Sequence, residues 1–375
     1  MSRLRVGVVG VGHLGQHHAR ILAGMEGVEL VGVADARPEQ AKLVADRVGT
    51  KAVDDYHDLV GNVDAVSVAV PTALHRKVAG WFLANGIATM VEKPLAASFA
   101  EAGELVALAR ENSTILQVGH IERFNPALSA LDGMGMRPKY IAAERLSTYT
   151  FRSTDIGVVL DLMIHDIDLV LSLIDAPVRS VAAVGVTVFG GHEDIANARV
   201  EFEDGCVANL TASRASFQAT RKMRLYGAEG YASLDFATKQ GTLIRPSEGL
   251  RRGEIDLNGI DMTQPAAIKD RVFGKILRVD QVLTTGREPL ALELEDFVQA
   301  ALGKGTPRVS GDDALRAMKL ADQILKSLHG HKWEDEAPVA AEAGATTQAG
   351  HTFRGPLSWR MRGNRSTTTN PSSGL

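Results

Sequence analysis

The first third of the chain alternates short apolar runs with longer segments in which apolar residues recur at helical spacing. The runs typical of buried strands are Leu4–Val9, Val28–Ala34, Ala65–Val70, Ala88–Val91 and Thr114–Val118. The clearest helical segments between them are Pro38–Val48, His75–Asn85 and Ser98–Glu111. Strands that alternate with helices in this way predict a Rossmann-type α/β domain, a doubly wound parallel sheet with helices on both faces.

From about residue 126 the pattern changes to consecutive strands joined by short turns. The predicted strands are Tyr140–Tyr149, Val178–Val188, Ala196–Glu203, Val207–Ala215, Arg221–Tyr226, Ala232–Phe236 and Gly241–Ile244. Helices are predicted at Val158–Ile174, Leu290–Leu302 and Gly311–Leu328. This order predicts an α+β domain with a large, mostly antiparallel open sheet. Residues 246–285 show no clear period, and we predict a long loop there with a short helix around Ala266–Val279.

These patterns divide the chain into three parts. Residues 1–122 form the first domain and residues 123–333 the second, with the late helices over 290–328 packing back on the first domain. From residue 334 onward the chain is rich in Ala, Gly, Thr and Ser and holds too few apolar residues to build a core. We therefore predict a disordered tail at 334–375.

Composition narrows the class of protein. The chain has 375 residues, of which 45 % are hydrophobic, and its net charge of −4 gives no reason to expect nucleic acid or an anionic membrane as partner. No apolar run is long enough for a spanning helix or a secretory signal. The single cysteine, Cys206, can form neither an internal disulfide nor a cysteine cluster for zinc. We expect a cytoplasmic protein.

The segment Gly10-Val-Gly12-His13-Leu14-Gly15 directly follows the first predicted strand and opens a helix. In a dinucleotide-binding unit, the first glycine permits the tight turn and the second lets the backbone approach a pyrophosphate. The third glycine lets the helix pack closely on the strand, and the helix N-terminus attracts the phosphates. Asp35 follows the second strand, where a carboxylate binds the ribose hydroxyls and repels a 2′-phosphate. NAD is therefore predicted over NADP, although Arg37 is placed to receive a phosphate.

Two further elements carry candidate chemistry. Lys93 lies between Glu92 and Pro94 at the end of a strand, where the ligand crevice of a parallel sheet is expected. Asp161 and His165 are one helical turn apart, so that the carboxylate could fix the imidazole tautomer while His165 moves a proton. A surface salt pair is the alternative for Asp161 and His165, and a solvated charge is the alternative for Lys93.

Over roughly residues 3–330 the chain resembles the Gfo/Idh/MocA oxidoreductases. The resemblance is carried by three motifs in this order and spacing: the glycine motif, Glu92-Lys93-Pro94 and Asp161-x-x-x-His165-x-x-Asp168. The resemblance implies a sugar or inositol dehydrogenase whose catalytic residues are Lys93, Asp161 and His165. It also implies that Pro71, Thr72 and His75 line the cofactor crevice together with Glu92. Which of Lys93 and His165 is the base stays open at this point.

The stretch from Gln117 to Pro126 resembles the branch of that family that acts on nucleotide sugars. It implies that the substrate is UDP-N-acetylglucosamine, oxidised at its 3-hydroxyl, and that His120, Arg123 and Asn125 contact it. A diphosphate also needs cationic ligands, and the candidates are Arg123, Arg145, Arg214, Arg221 and Arg224. The resemblance further implies a homodimer or homotetramer formed through the second sheet, whose open face we expect to be apolar.

Other functions are compatible with the same motifs. The same chemistry could act on a free sugar or inositol, or the chain could be a non-catalytic regulator that binds NAD. A metal site is a further alternative, formed by His13, His17 and His18 or by Asp161, His165 and Asp168, but the resemblance implies hydride transfer without a metal.

Overall fold

Six parallel strands form the first sheet, with four helices packed on its two faces. The computed structural model describes residues 3–149, 156–189, 191–255, 272, 276–283 and 286–331, so the predicted tail lies outside the described residues. The strands are β1 (Leu4–Val9), β2 (Val28–Ala34), β3 (Lys51–Val53), β4 (Ala65–Val68), β5 (Ala88–Glu92) and β6 (Leu116–Gly119). The helices are α1 (Gly15–Ala23), α2 (Pro38–Val48), α3 (His75–Ala84) and α4 (Phe99–Glu111).

The strand order of this sheet is β3-β2-β1-β4-β5-β6. Consecutive strands run outward from β1 in one direction and from β4 in the other, so the switch point lies between β1 and β4. Ligands of doubly wound sheets bind in the crevice beyond the carboxyl ends of the strands at this point. The loops that follow β1, β4 and β5 therefore surround the expected site.

The second sheet has eight strands. They are β7 (Tyr140–Leu146), β8 (Val178–Val186), β9 (Ile195–Phe202), β10 (Val207–Ser213), β11 (Thr220–Gly227), β12 (Gly230–Asp235), β13 (Gln240–Pro246) and β14 (Leu277–Leu283). Their order is β14-β13-β12-β11-β7-β10-β9-β8, and the neighbouring strands are antiparallel except for the parallel pair β7 and β10. The predicted mostly antiparallel open sheet is confirmed.

One prediction within this sheet is wrong. Residues 277–279, which we assigned to the end of a short helix, belong to β14, whose backbone pairs with β13 from Leu277 to Leu283. Pairing with β13 decides this conformation, because the alternation of apolar and polar residues is short and breaks at Gln281. The earlier part of the predicted helix lies largely outside the described residues.

Four α-helices are described beyond the first sheet, two of which pack against the second sheet. They are α5 (Ile164–Leu173), α6 (Glu248–Arg251), α7 (Pro289–Ala301) and α8 (Gly311–Gly330), and a π-helical turn at Val159–Met163 leads directly into α5. Helix α8 packs against α5 and β8 on one side and against α4 of the first sheet on the other. In α7, Leu290, Leu294 and Phe297 share an apolar core with β1 and α1. Both late helices thus contact elements of residues 1–122.

The other face of the second sheet is not apolar, contrary to expectation. Along its strands the outward positions carry paired charges, such as Glu144 with Arg224 and Lys222 with Asp235. Beside these pairs, the ring of Tyr226 packs at a tilt against the rings of Tyr140 and Tyr231. The strict alternation along antiparallel strands sends the apolar residues to the helix-covered face. A homo-oligomer contact through this face would therefore be largely polar.

None of the helices in the described parts of the chain combines the length and the hydrophobicity that a membrane span requires.

Candidate active site

The loop after β1 forms a tight glycine turn at the start of α1. Gly10 has a φ of +82°, and a Cβ there would lie 2.8 Å from the backbone of Ala69 and Val70. A Cβ on Gly15 would lie 1.8 Å from the carbonyl oxygen of Gly10. A Cβ on Gly12, in contrast, would have no atom within 4 Å. Gly10 and Gly15 are thus required by the fold itself, whereas Gly12 leaves open space where a pyrophosphate can approach the backbone.

The carboxylate of Asp35 lies at the end of β2, beside this turn. It accepts hydrogen bonds from the backbone N–H of Val11 at 2.9 Å and of Arg37 at 3.0 Å. The side chain of Arg37 is largely exposed, with its Nε 3.6 Å from Asp35. The residues therefore fit the adenosine half of NAD, with a negative charge held where the ribose hydroxyls are expected.

A crevice of about 260 Å³ continues from this turn toward the second sheet. Its lining includes the predicted cofactor residues Leu14, Pro71, Thr72, His75, Glu92 and Lys93, together with Asp161. His75 is buried, and its ring bridges the carbonyl oxygens of Val70 and Pro94, so it holds the two loops together at the base of the crevice. The carboxylate of Glu92 accepts a hydrogen bond from the backbone N–H of Lys93.

Lys93 and Asp161 are brought together at the far end of the crevice. Lys93 Nζ donates to the backbone oxygen of Asp161 at 2.7 Å and to its Oδ1 at 3.1 Å. The side chains of Lys93 and Asp161 are 16 % and 20 % exposed. This ion pair is therefore accessible from the crevice. The prediction that Asp161 orients His165 does not match this geometry, because among the described residues the carboxylate bonds to Lys93 and not to the imidazole.

The backbone changes its hydrogen-bonding pattern between these two residues. Asp161 belongs to the π-helical turn Val159–Met163, while His165 already belongs to the α-helix that follows. Asp161 bonds instead to Lys93, whose Nζ donates to both its carboxylate oxygen and its backbone oxygen. π-Helical turns inside helices are frequent at functional sites.

His165 lies beside this pair and is 9 % exposed. Burial, and then the positive charges of Lys93 and Arg145, hold its pKa well below the usual histidine value. Its buried Nδ1 has no hydrogen-bond partner among the described residues. The ring meets that of His120 edge to face, with centroids 6.2 Å apart. His120 is itself buried, and burial lowers its pKa too. His165 is thus an uncharged imidazole next to a cationic amine.

A buried charge cluster, which the sequence did not reveal, supports the helix that carries His165. Arg145 on β7 donates to both oxygens of Asp166 at 2.9 Å and to Glu122 at 2.8 Å. Although burial opposes its charge, these two carboxylates raise the pKa of Arg145. The sequence feature that could have indicated this cluster is Asp166, an acid next to His165 in a largely apolar helix. A charge buried in such a helix needs a partner of opposite charge. Arg145 is therefore not available to a substrate phosphate.

The start of the π-helical turn is held by a second buried carboxylate. The backbone N–H of Val159 donates to Glu193 Oε1 at 3.1 Å, and a Cβ on Gly157 would collide with this carboxylate. The adjacent Asp194 is fully buried and bonds to Arg214 at 2.6 Å. Glu193 thus positions the segment that presents Asp161, a role that local sequence patterns did not indicate.

Two of the predicted substrate residues use their polar atoms within the protein. Asn125 Nδ2 donates to Glu122 and to the carbonyl oxygen of Phe236, while its Oδ1 accepts from Ala127. Arg123 lies 3.7 Å from Asp168 and donates to the carbonyl oxygen of Arg308. This geometry favours a structural role for both Asn125 and Arg123. Of the three candidates, only His120 lies against a predicted catalytic side chain.

The predicted alternatives with a metal find no support in the geometry. His18 is buried and bonds to Ser67 and Glu92, whereas His13 and His17 are exposed. In the described ranges, no group of three or more His, Cys, Asp or Glu side chains is arranged to hold a metal ion.

Comparison with known families extends over most of the chain. Residues 4–120 match the model of the oxidoreductase family with an NAD-binding Rossmann fold. Residues 135–233 match the GFO/IDH/MocA C-terminal domain. The first match spans the six-stranded sheet, and the second spans the eight-stranded sheet from β7 into β12.

Individual relatives agree with these matches. UDP-N-acetylglucosamine 3-dehydrogenase from Acidithiobacillus ferrooxidans is 36 % identical over 86 % of this chain and 97 % of its own. Its solved structure superposes with a TM-score of 0.77 and 34 % identity, covering 88 % of this chain and 98 % of that one. Inositol 2-dehydrogenase from Rhizobium meliloti is 25 % identical over 87 % of this chain and 97 % of its own.

Proposed function

The chain belongs to the GFO/IDH/MocA family of NAD-binding oxidoreductases, and on that premise we propose that it oxidises the 3-hydroxyl of UDP-N-acetylglucosamine. The observation that carries the reaction type is that Lys93 lines the crevice as a cation, while its charge also acts on the buried ring of His165 and helps to keep that ring uncharged. The choice of substrate is supported by the dehydrogenase of A. ferrooxidans, which is more similar in sequence than the inositol dehydrogenase of R. meliloti.

In this proposal the two side chains have separate tasks. His165 is the base, because a low pKa keeps its ring neutral and able to accept the hydroxyl proton. Lys93 donates a hydrogen bond to the same oxygen and stabilises its developing negative charge. Asp161 holds Lys93 in place through its carboxylate and backbone oxygen. Bound NAD would supply the acceptor for the hydride that leaves the same carbon.

The rest of the site positions these groups. The Arg145, Asp166 and Glu122 cluster fixes the start of α5 and thereby the ring of His165. Glu193 fixes the π-helical turn and thereby Asp161. The turn at Gly10–Gly15 and the carboxylate of Asp35 bind the adenosine diphosphate half of NAD.

The test is NADH formation by the purified protein with NAD and UDP-N-acetylglucosamine, beside myo-inositol and glucose. We expect turnover on the nucleotide sugar, and a kcat lower by a factor of about 10²–10³ in Lys93→Ala. Lys77→Ala, which removes an exposed amine on α3, is the matched control and should retain full activity. Turnover on myo-inositol or glucose alone would contradict the proposed substrate, and NAD binding without any turnover would favour a regulator.

A further inference from the structure

Arg221, the second residue of β11, lies on the same side of the second sheet as the catalytic groups. In the antiparallel pair of β7 and β11 it stands directly opposite Arg145. Opposite residues of such a pair project to the same face of the sheet. Arg145 bonds to Asp166 on the covering helix α5, and Met223 and Leu225, further along β11, are buried beneath the helices. Arg221 therefore projects toward α5, not toward the outer face.

Unlike Arg145, Arg221 is exposed. Its positive charge is close enough to His165 and Asp166 to contribute to the lowered pKa of the former and to oppose the raised pKa of the latter. Among the described residues its guanidinium has no hydrogen bond and no carboxylate partner. A cation without such a partner contributes little to the stability of the fold. It does, however, place a positive charge near the proposed base.

The other candidate cations are already neutralised. Arg145 lies between Asp166 and Glu122, Arg214 is paired with Asp194, and Arg123 lies next to Asp168. Arg224 and Lys222 belong to the same strand as Arg221 but project to the outer face, where they pair with Glu144 and Asp235. Apart from Lys93, which is bonded to Asp161, Arg221 is thus the cation that the described part of the site can offer to an anionic substrate.

The chemistry of a nucleotide sugar places an anion close to its reacting hydroxyl. Its diphosphate is attached to C1, so only one sugar ring separates it from a hydroxyl that reacts at C3. A guanidinium binds phosphate oxygens in a bidentate manner through its planar set of N–H groups. We propose that Arg221 binds the diphosphate of the substrate and so selects nucleotide sugars over free sugars. This inference rests on the proposed function.

Binding of UDP alone, measured by calorimetry at mildly alkaline pH, isolates this contact from catalysis. At that pH His165 is neutral in every variant, so a change in its pKa cannot cause a change in affinity. We expect Arg221→Ala to raise the Kd of UDP, and the KM of UDP-N-acetylglucosamine, by about 10- to 100-fold. Arg221→Lys should recover part of the loss, because it restores the charge without the bidentate geometry. The Kd of NAD and the Tm should stay unchanged.

Arg224→Ala is the matched control, since it removes the same charge three residues along the same strand but from the opposite face. It should bind UDP like the native protein. If Arg221→Ala also bound UDP with native affinity while the native enzyme oxidised UDP-N-acetylglucosamine, the assignment of Arg221 would be wrong and the proposed function would stand. If the native protein neither bound UDP nor oxidised the nucleotide sugar, both proposals would be overturned.

Discussion

His165 illustrates how a single residue acquires its chemistry from its surroundings. Histidine at its ordinary pKa of 6.5 would be partly protonated near neutral pH, and a protonated ring cannot act as a base. Burial removes the water that would stabilise the imidazolium, and Lys93 and Arg145 add electrostatic repulsion. Both effects favour the neutral ring, so the base is ready over a wide range of pH.

This argument predicts the acidic limb of the pH profile. Activity requires neutral His165, so kcat/KM should fall only as the pH drops through a pKa that lies below 6.5. His165→Asn should lower kcat by a factor of about 10²–10⁴ and remove this limb. The measurement is kcat/KM across the acidic range with saturating NAD. A limb centred at or above the ordinary histidine value would show that His165 is not held neutral, or is not the base.

Asp35 governs the choice between the two nicotinamide cofactors. Its carboxylate holds the backbone of Val11 as well as repelling a 2′-phosphate, so a large change would disturb the turn itself. Asp35→Asn keeps one oxygen that can accept from Val11, removes the charge and gives up the second bond, to the backbone of Arg37. We expect the ratio of kcat/KM for NADP to that for NAD to rise about tenfold, as is typical of losing one charge–charge repulsion of about 1.4 kcal/mol.

Arg37 supplies the check on that result. If the nearby guanidinium receives the 2′-phosphate, adding Arg37→Ala to Asp35→Asn should return the ratio toward its native value. Asp46→Asn, an exposed change on α2, should leave the ratio as it is. An unchanged ratio in Asp35→Asn would mean that the carboxylate does not face the ribose.

At the scale of elements, the turn between β1 and α1 separates what the fold requires from what the ligand requires. Gly15→Ala would place a Cβ against the carbonyl oxygen of Gly10, and neither backbone can move without opening the turn. Gly12→Ala meets no protein atom. We therefore expect Gly15→Ala to lower the free energy of unfolding by about 1–3 kcal/mol and to abolish NAD binding.

Gly12→Ala should behave differently from Gly15→Ala. Its free energy of unfolding should stay within about 0.5 kcal/mol of the native value, while the Kd of NAD rises at least tenfold because the added methyl occupies the space of the pyrophosphate. Urea unfolding and NAD titration of the two variants measure both quantities. Native NAD affinity in Gly12→Ala would mean that the phosphates do not approach this part of the turn.

The elements themselves differ in how far sequence predicts them. Strand β1 and helix α2 begin and end where their apolar periodicity does, because each has a buried face along its whole length. Strand β3 was not predicted, since it has three residues and only Val53 is even partly buried. Strand β14 was missed because its conformation depends on pairing with β13. Periodicity records burial, so elements defined mainly by pairing escape it.

The candidate site was predicted only in part, and for a related reason. Sequence motifs brought Lys93, Asp161 and His165 to one place, yet they assigned the carboxylate of Asp161 to His165, whereas it bonds to Lys93. The roles of Arg145 and Glu193 depend on contacts between residues far apart in the chain. No local pattern encodes which of several arginines meets a carboxylate and which, like Arg221 within the described part of the chain, does not.

At the scale of the whole molecule, helix α7 joins the end of the chain to the first sheet and buries a carboxylic acid in doing so. Glu293 is fully buried, and neither of its carboxylate oxygens has a hydrogen-bond partner among the described residues. Burial, and then the negative charge of Glu92, raise its pKa well above the usual value of 4.5. The folded molecule therefore keeps this side chain protonated at a pH where the unfolded chain has released the proton.

This difference makes stability depend on pH. The folded state binds the proton more tightly, so the contribution of Glu293 to stability is fully present below pH 4.5 and is lost as the pH rises toward the folded-state pKa. Within that window the free energy of unfolding should fall by up to about 1.4 kcal/mol per pH unit.

Glu293→Gln mimics the protonated acid and cannot ionise, so the excess of its free energy of unfolding over that of the native protein should grow with pH. Glu295→Gln, on the same helix but partly exposed and paired with Arg287, should keep the native slope. Urea unfolding at a series of pH values tests this, and parallel curves for the native protein and Glu293→Gln would show that Glu293 does not titrate between the folded and unfolded states.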